Sequence, residues 1–235
     1  MLNIQRIRAI SLDLDDTLWP IAPTIRRARE TLQQWLLQHA PRTAHLLCAP
    51  EVMLRIRKKV VADASRTRPE MAHDLSALQL ESVRLALLEA GEDGALAPQA
   101  FYVYLAQRQR VELFDDALFA LEFLSQRYPI IGLSNGNADV QRIGIGRYFR
   151  ASLSAGELGM SKPDPRVFQK AAARASVDVT AVLHIGDDAE LDALGGMRAG
   201  MQSIWLNRAG LDWPHQEAPH ATVRDLRQLC ALWSA

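Results

Sequence analysis

The spacing of apolar residues separates a helical middle section from the rest of the chain. Between residues 24 and 110, apolar side chains recur every three or four positions, a rhythm that predicts helices and offers no convincing strand. Helices are predicted over residues 24–39, 53–64 and 75–90, with another beginning near Pro98. Packed through their apolar stripes, these helices predict a small helical bundle.

Short apolar runs alternate with helical segments in the rest of the chain. Such alternation predicts parallel strands joined by right-handed helical crossovers, and therefore an α/β fold with a doubly wound open sheet. The predicted domains are residues 1–19 with 111–235 for the sheet, and residues 20–110 for an inserted helical bundle. The predicted strands lie at residues 10–14, 129–133, 151–154, 181–185 and 203–206, and the helices between them at 117–127, 164–175 and 191–199.

Composition narrows the function class. A chain of 235 residues with 49% hydrophobic content can bury a sizeable core. Lys plus Arg and Asp plus Glu both number 27, so no overall positive field attracts nucleic acid or an anionic membrane. The two cysteines, Cys48 and Cys230, indicate neither a disulfide framework nor a thiolate zinc site. Without a secretion core or a membrane-length apolar run, we expect a cytoplasmic protein, monomeric or weakly dimeric.

Polar clusters follow three of the predicted strands at their carboxyl ends. The segment 13–17 follows the first strand, Ser134 and Asn135 follow the second, and Gly186-Asp187-Asp188 follows a later one. Burying Asp13 at a strand tip is costly unless a cation or hydrogen bonds compensate it. Asp13 is therefore predicted to be a metal ligand, an attacking group, or both. Hard carboxylate oxygens favour Mg²⁺ over zinc.

Each cluster also has a structural explanation when it is considered alone. Ser134-Asn135-Gly136 is common turn chemistry, Lys162 before Pro163 is ordinary as a solvated lysine, and Asp187-Asp188 are good helix-capping residues. His184, inside an apolar strand, is expected to be a hydrogen-bonded core residue. The joint occurrence of the clusters, at one predicted sheet edge, is what favours a functional site.

The motifs resemble those of the haloacid dehalogenase superfamily. That family's DxDxT motif is matched by Asp13, Asp15 and Thr17, and its GDxxxxD motif by Gly186, Asp187 and Asp192. Its second motif, a Ser or Thr after an apolar strand, matches Ser134, and its basic third motif matches Lys162. The order is the family's, and the helical insert falls where the family places its cap. The resemblance implies a Rossmann-like core with an α-helical cap.

The resemblance also implies a role for each acidic residue. Asp13 attacks phosphorus to form an aspartyl-phosphate, and Asp15 protonates the leaving oxygen and then activates water. Mg²⁺ is held by the carboxylates of Asp13 and Asp187 and by the backbone carbonyl of Asp15. Asp192 orients Lys162 or the metal-bound waters. Asp188 is assigned a supporting role beside the site, with helix capping as the alternative.

The remaining matched residues are expected to bind the phosphoryl group. Ser134 and Lys162 hold its non-bridging oxygens, assisted by backbone N–H groups near Leu14 and Asn135. Thr17 and Asn135 are counted among the substrate-binding residues.

Asp15 distinguishes between reactions within the family. Halide leaves without a proton, and the family's dehalogenases lack an acid at this position, whereas an alkoxide leaving from a phosphate ester needs one. The acid therefore predicts a phosphatase. Two alternatives stay open: a sugar phosphomutase, which keeps both acids, and a catalytically silent binding module, which would be expected to have lost one of the motif acids.

The substrate is predicted to be a small phosphorylated metabolite, selected by residues at or near the insert. Trp19, Arg68 and His73 are the candidates for these contacts. The strings around Asp13, His73, Ser134 and Asp187 are similar to bacterial phosphatases of flavin biosynthesis, which act on 5-amino-6-(5-phospho-D-ribitylamino)uracil. Such enzymes often accept other small phosphates as well, including flavin mononucleotide and sugar phosphates, so the resemblance implies these esters as related substrates.

Overall fold

A six-stranded parallel sheet forms the centre of the larger part of the molecule. The computed structural model describes residues 1–233, and its strands run in the order β3-β2-β1-β4-β5-β6. This architecture confirms the α/β, doubly wound prediction. The strands are β1 (Ala9–Leu12), β2 (Ile130–Ser134), β3 (Ala151–Ser154), β4 (Val182–Gly186), β5 (Gln202–Leu206) and β6 (Ala221–Val223).

The chain divides into two compact units. One comprises residues 1–20 and 112–235, of which 234 and 235 lie outside the described residues, and the other comprises residues 21–111. The second unit contains the helices α1 (Ile21–His39), α2 (Pro41–Leu46), α3 (Pro50–Thr67), α4 (Leu75–Glu89) and α5 (Ala97–Arg108). Its interior is built from the apolar stripes of α1, α4 and α5, with Leu36 and Leu87 fully buried. Within the described part of the chain, no helix has the length and apolar character needed to cross a membrane.

Helices cover the sheet of the first unit. The largest amphipathic one, α9, buries Val167 and Phe168 against apolar residues of the sheet, among them Ile131 and Leu133. The helices of this unit are α6 (Ala117–Ser125), α7 (Val140–Ile143), α8 (Ala155–Leu158), α9 (Pro165–Ala175), a π-helical turn (Ala189–Leu194) that continues into α10 (Gly195–Arg198), and α11 (Leu226–Ala231). The unpredicted strand β6 has only three residues, too few for a periodic signal.

Several boundaries differ from the sequence prediction by a few residues, and two of these differences have a clear physical reason. Helix α1 begins at Ile21 rather than residue 24, because Pro23 in the first turn gives up an N–H that has no helical partner there. Strand β1 ends at Leu12 rather than residue 14. The chain turns beyond that point, and Asp16 adopts a φ of 58°, in the left-handed region.

The register brings three strand ends together. Leu12 lies opposite Gly132 of β2 on one side and Ile185 of β4 on the other. The strand order reverses between β1 and β4, and in doubly wound sheets ligands bind at such a switch point, outside the carboxyl ends of the strands. Residues 13, 134 and 187 therefore project from one edge of the sheet.

Replacement of Phe168 by Ala tests the packing of α9 on the sheet. Phe168 is fully buried, so the cavity left by Phe168→Ala is expected to lower the free energy of unfolding by about 3–5 kcal/mol, measured by urea denaturation. The control is Phe119→Ala: Phe119 is 46% exposed, and less than about 1 kcal/mol should be lost. Similar losses in the two variants would contradict this assignment of the core.

Candidate active site

The acidic loop after β1 is folded back on itself by backbone hydrogen bonds. The Asp13 N–H donates to the Ile185 carbonyl of β4 at 2.9 Å, extending the strand pairing by one residue. Beyond it, the Asp16 N–H donates to the Trp19 carbonyl at 2.7 Å and the Leu18 N–H to the Leu14 carbonyl at 2.8 Å. The loop thus holds the Asp13 side chain, only 6% exposed, at the tip of the strand.

Asp15 and Trp19 contact each other across this loop. The indole N–H of Trp19 donates to Asp15 Oδ1 at 2.7 Å, and Trp19 is fully buried while Asp15 is partly exposed. Trp19 was predicted to meet the substrate. In the structure, however, the one polar atom of its side chain, Nε1, is hydrogen-bonded to Asp15, and no surface of the ring is exposed.

Lys162 lies between two carboxylates. Its Nζ is 2.5 Å from Asp13 Oδ1 and 2.6 Å from Asp192 Oδ1, and all three side chains are buried. Burial alone would lower the pKa of Lys162, but the two carboxylates outweigh it and hold the pKa above its ordinary value. Lys162 is therefore a fixed ammonium ion.

The side chain of Asn135 fixes the backbone at Lys162. Asn135 Oδ1 accepts from the Lys162 N–H at 2.8 Å, and Asn135 Nδ2 donates to the Lys162 carbonyl at 3.0 Å. Next to it, Ser134 ends β2 with its side chain buried, and its Oγ accepts from the Gly136 N–H at 2.9 Å. The second and third motifs are thus brought together, with the Asn135 amide directed at the chain rather than outward.

Asp187 follows β4 and is held from two sides. Thr17, predicted to bind substrate, donates its hydroxyl to Asp187 Oδ1 at 3.2 Å. Trp205 of β5, which the sequence analysis did not single out, donates its indole N–H to the Asp187 carbonyl at 2.7 Å. Burial, together with the negative charges of Asp192 and Asp16, raises the pKa of Asp187 to about 7.

Asp192 uses both carboxylate oxygens within the protein. Oδ1 faces Lys162 and also His184 Nε2 at 3.1 Å, while Oδ2 accepts from the Asp188 N–H at 3.1 Å. Burial acts to raise the pKa of Asp192, but Lys162 and His184 hold it well below its usual range. Asp192 thus contacts Lys162 directly, and its orienting role stays a prediction.

The side chain of Asp188 caps the following helical turn. Its Oδ1 accepts from the Glu190 and Leu191 N–H groups, each at 2.8 Å, which is the alternative the sequence analysis left open. Its backbone contacts Asp192 twice, donating the Asp188 N–H to Asp192 Oδ2 and accepting from the Asp192 N–H, each at 3.1 Å. A supporting role for the Asp188 carboxylate stays a prediction.

His184 joins the charged cluster from inside β4. It is fully buried, with Nδ1 2.9 Å from Ser11 Oγ and Nε2 directed at Asp192, as expected for a hydrogen-bonded core histidine. Burial lowers its pKa, so the neutral ring is favoured. The sequence signal was a polar residue two positions before Gly186 in an apolar strand, but its partner on the helix could not be identified from spacing.

The acidic cluster holds more carboxylates than ammonium ions. Oxygens of Asp13, Asp187 and Asp192 lie within 4.8 Å of one another, and Lys162 is the ammonium ion among them. Burial raises the pKa of Asp13 well above its ordinary value, and the negative charges of Asp192 and Asp187 add to the effect of burial despite Lys162. A cluster of hard oxygens with surplus negative charge fits a divalent ion such as Mg²⁺. Both oxygens of Asp192 are occupied by Lys162, His184 and the Asp188 N–H, whereas Lys162 contacts only Oδ1 of Asp13, so Asp13 and Asp187 are the carboxylates suited to hold the ion.

Two predicted substrate contacts belong to the helical unit. Arg68, the residue directly after α3, is exposed, and His73, before α4, is half-buried. Nothing in the geometry of the acidic cluster tests their role.

Comparison with known proteins places these features in a family. The haloacid dehalogenase-like hydrolase family model matches residues 7–200, a span that includes every element of the acidic cluster. The chain belongs to the haloacid dehalogenase-like hydrolase family. The resemblance carried by the four motifs is thereby confirmed, and the protein is a hydrolytic enzyme of this family.

Relatives within the haloacid dehalogenase-like family include both phosphatases and dehalogenases. The chain is 31% identical to the 5-amino-6-(5-phospho-D-ribitylamino)uracil phosphatase YigB of Escherichia coli (strain K12), covering 97% of this chain and 96% of that protein. It is 25% identical to N-acylneuraminate-9-phosphatase of Mus musculus, covering 98% and 95%. Among solved structures, the 2-haloacid dehalogenase from Pseudomonas syringae pv. Tomato DC3000 has a TM-score of 0.90 and 36% identity, covering 97% and 98%.

The raised pKa of Asp187 predicts how pH affects the metal-free protein. An acid with a higher pKa in the folded state than in the unfolded one costs stability as pH rises between the two values, here from about 4 to 7. Asp187→Asn removes that cost. In EDTA, the unfolding free energy of the variant relative to wild type should therefore rise by roughly 2 kcal/mol between about pH 5 and pH 8, measured by urea denaturation.

Asp225→Asn is the matched control, because Asp225 only caps α11 and Asn caps equally well. Its pH profile should follow that of wild type. Mg²⁺ at about 100 times its Kd is expected to stabilise wild type by about 2.7 kcal/mol and Asp187→Asn far less. Parallel pH profiles for wild type and Asp187→Asn would contradict the raised pKa.

Proposed function

We propose that the protein is a Mg²⁺-dependent phosphatase that hydrolyses a small phosphomonoester through an aspartyl-phosphate on Asp13. The observation that carries the proposal is the pair of acids after β1: Asp13 is buried beside the ammonium ion of Lys162, and Asp15 is partly exposed and held by Trp19. One carboxylate is thus placed to attack, and the other to transfer a proton.

Two displacements divide the reaction between these acids. In the first, an Asp13 carboxylate oxygen forms a bond to phosphorus as the bond to the ester oxygen breaks, and Asp15 gives its proton to that oxygen. In the second, Asp15 accepts a proton from water as the water oxygen attacks phosphorus and releases Asp13. Each step leaves Asp15 in the protonation state that the next step needs.

The other buried groups hold the charged phosphoryl oxygens. Lys162, fixed by Asp192 and Asn135, supplies a positive charge that needs no reorganisation during the reaction, and the Ser134 hydroxyl supplies a hydrogen bond. When bound at Asp13 and Asp187, with the Asp15 carbonyl as a further ligand, Mg²⁺ supplies neutralising charge that lets a carboxylate approach an anionic phosphate. The expected backbone donors near Leu14 and Asn135 complete this part of the proposal.

Dehalogenation is the second candidate, favoured by the likeness to the 2-haloacid dehalogenase structure. Carbon–halogen cleavage releases a stable anion and needs no proton donor. In a dehalogenase, the acid Asp15 would have no proton to transfer to the leaving group. The carboxylates suited to hold a metal would also have no function, because there would be no phosphate charge for a bound cation to neutralise. The chemistry of these two features supports the phosphatase over the dehalogenase.

The relative YigB supplies the most specific substrate hypothesis. That protein's name gives 5-amino-6-(5-phospho-D-ribitylamino)uracil as its substrate, and the likeness extends over nearly the full length of both chains. We assign this chain the same class of substrate, a phosphorylated ribityl or sugar chain, with flavin mononucleotide as a related ester. In this proposal the helical unit provides the residues that select the substrate, Arg68 and His73 among them.

Phosphate release from a panel of esters tests the reaction. The panel contains 5-amino-6-(5-phospho-D-ribitylamino)uracil, flavin mononucleotide, a sugar phosphate and p-nitrophenyl phosphate. Wild type is expected to release phosphate with Mg²⁺ and not with EDTA, and Asp13→Asn to lower kcat by more than about 10³-fold because the nucleophile is lost. Asp225→Asn, which changes a carboxylate outside the site, should retain wild-type rates.

The outcomes of that panel separate the candidates. Halide release from 2-chloropropionate without phosphate release would make the protein a dehalogenase. Transfer of phosphate between positions of a sugar phosphate, with no free phosphate, would make it a mutase. Binding of Mg²⁺ without turnover of any substrate would leave the silent module.

Alanine replacements in the helical unit test substrate selection. Arg68→Ala and His73→Ala are each expected to raise KM for the preferred substrate by roughly tenfold, the loss of one polar contact, and to change rates on p-nitrophenyl phosphate much less. Steady-state kinetics on both esters give the comparison. Arg66→Ala is the control, because Arg66 is exposed and paired with Asp63 on its own helix. Equal losses on both esters would refute a role in selection.

A further inference from the structure

We propose that Trp19 is a positioning residue for proton transfer, holding the Asp15 carboxylate where it can reach the leaving-group oxygen. The inference rests on the proposed phosphatase function and goes beyond it, since the family motif specifies the acid and not what orients it. Trp19, which the sequence predicted to contact the substrate, would thus act through Asp15 instead.

The geometry supports an oriented carboxylate. The 2.7 Å distance from Trp19 Nε1 to Asp15 Oδ1 is at the short end of the range for N–H···O hydrogen bonds. An indole N–H can only donate, so this contact assigns Oδ1 the role of acceptor. The proton that is delivered to the ester oxygen, and later taken from water, is then carried by the other carboxylate oxygen, Oδ2.

The indole ring of Trp19 is itself held in place. Trp19 is fully buried, and its carbonyl accepts from the Asp16 N–H at 2.7 Å within the same loop. Residues 15 and 19 also form an isolated parallel β-bridge. The backbone and the side chain of Trp19 thus both contact the short segment that carries the acid, so the N–H is a fixed reference for the carboxylate.

Other residues of the first unit anchor the loop that carries Asp15 and Trp19. The Thr17 carbonyl accepts from Arg208 at 3.0 Å, and the Leu18 carbonyl accepts from the Phe114 N–H at 2.9 Å. Arg208 is itself fixed by two hydrogen bonds to Asp116, at 3.0 and 2.9 Å. Because the loop is braced independently of the indole N–H, removing this donor should loosen the orientation of the Asp15 carboxylate while leaving the loop in place.

Leaving-group chemistry gives a readout that structural damage cannot imitate. An alkoxide leaving group requires a proton as its bond to phosphorus breaks, whereas p-nitrophenolate leaves readily as an anion. A group that acts through Asp15 must therefore matter for the alkyl ester and little for the aryl ester. The parameter to compare is kcat/KM, which covers the steps up to departure of the leaving group and excludes the later hydrolysis of the aspartyl-phosphate.

Trp19→Phe removes the N–H and keeps an aromatic ring in the buried position. With Mg²⁺ present, this variant is expected to lose about 10- to 100-fold in kcat/KM on a sugar phosphate and less than about threefold on p-nitrophenyl phosphate. In the Asp15→Asn background, where no acid remains to be oriented, adding Trp19→Phe should cost less than about threefold on either ester.

Two further proteins keep the test decisive if Phe packs poorly. Site-specific insertion of 3-benzothienylalanine at position 19 preserves the bicyclic shape and lacks the N–H, and it should reproduce the selective loss. Trp233→Phe removes another indole donor, whose partner is the Tyr128 hydroxyl outside the site, and it should leave both esters unaffected.

The possible results overturn different statements. Equal losses on both esters, or an undiminished loss in the Asp15→Asn background, would overturn the role of Trp19 while leaving the phosphatase in place. Failure of the wild-type protein to hydrolyse either ester would instead overturn the proposed function, and this inference with it.

Discussion

The ammonium ion of Lys162 between Asp13 and Asp192 is the interaction on which the site depends. These three side chains come from separate segments, and all are buried. Asp13 follows β1, Lys162 lies in the loop before α9, and Asp192 lies in the π-helical turn after β4. Breaking a buried ion pair by removing one partner typically costs about 3–5 kcal/mol, because the charge left behind has no compensation. Asp13, Lys162 and Asp192 therefore have to be placed together, because none of the three charges is compensated without the others.

Much of the surrounding structure serves to hold this cluster still. Asn135 fixes the backbone of Lys162, His184 meets Asp192 from the adjacent strand, and Trp205 supports the backbone of Asp187. None of these contacts needs a ligand, so the site is preorganised. Asp13, Asp187 and Asp192 together carry more negative charge than the one ammonium ion of Lys162 can neutralise, which is the electrostatic basis for proposing a divalent cation.

The sequence predicted the sheet and the acidic cluster because both arise from local signals. Apolar runs that end in Asp or Ser identify strand ends, and parallel strands bring such ends to one edge, which is how Asp13, Ser134 and Asp187 were grouped. The partners of each side chain could not be predicted in this way. Trp19 and Thr17 illustrate the limit: both were predicted to contact the substrate, but the indole donates to Asp15 and the Thr17 hydroxyl to Asp187, and these contacts depend on how the loop after β1 folds.

Gly186 shows that a position with no side chain can be as demanding as the charged residues around it. A Cβ built there would lie 2.3 Å from Asp192 Cγ, so the space that Asp192 occupies is available only because residue 186 lacks one. Gly186 contributes by having no Cβ. An alanine scan measures the effect of removing side-chain atoms, but at this position alanine would add the atom that clashes with Asp192. Tolerance to substitution along this motif is thus limited by side-chain volume at Gly186 and by charge at Asp187. A library that varies Asp187 and Asp192 but keeps Gly186 would test the limit on charge and not the limit on volume.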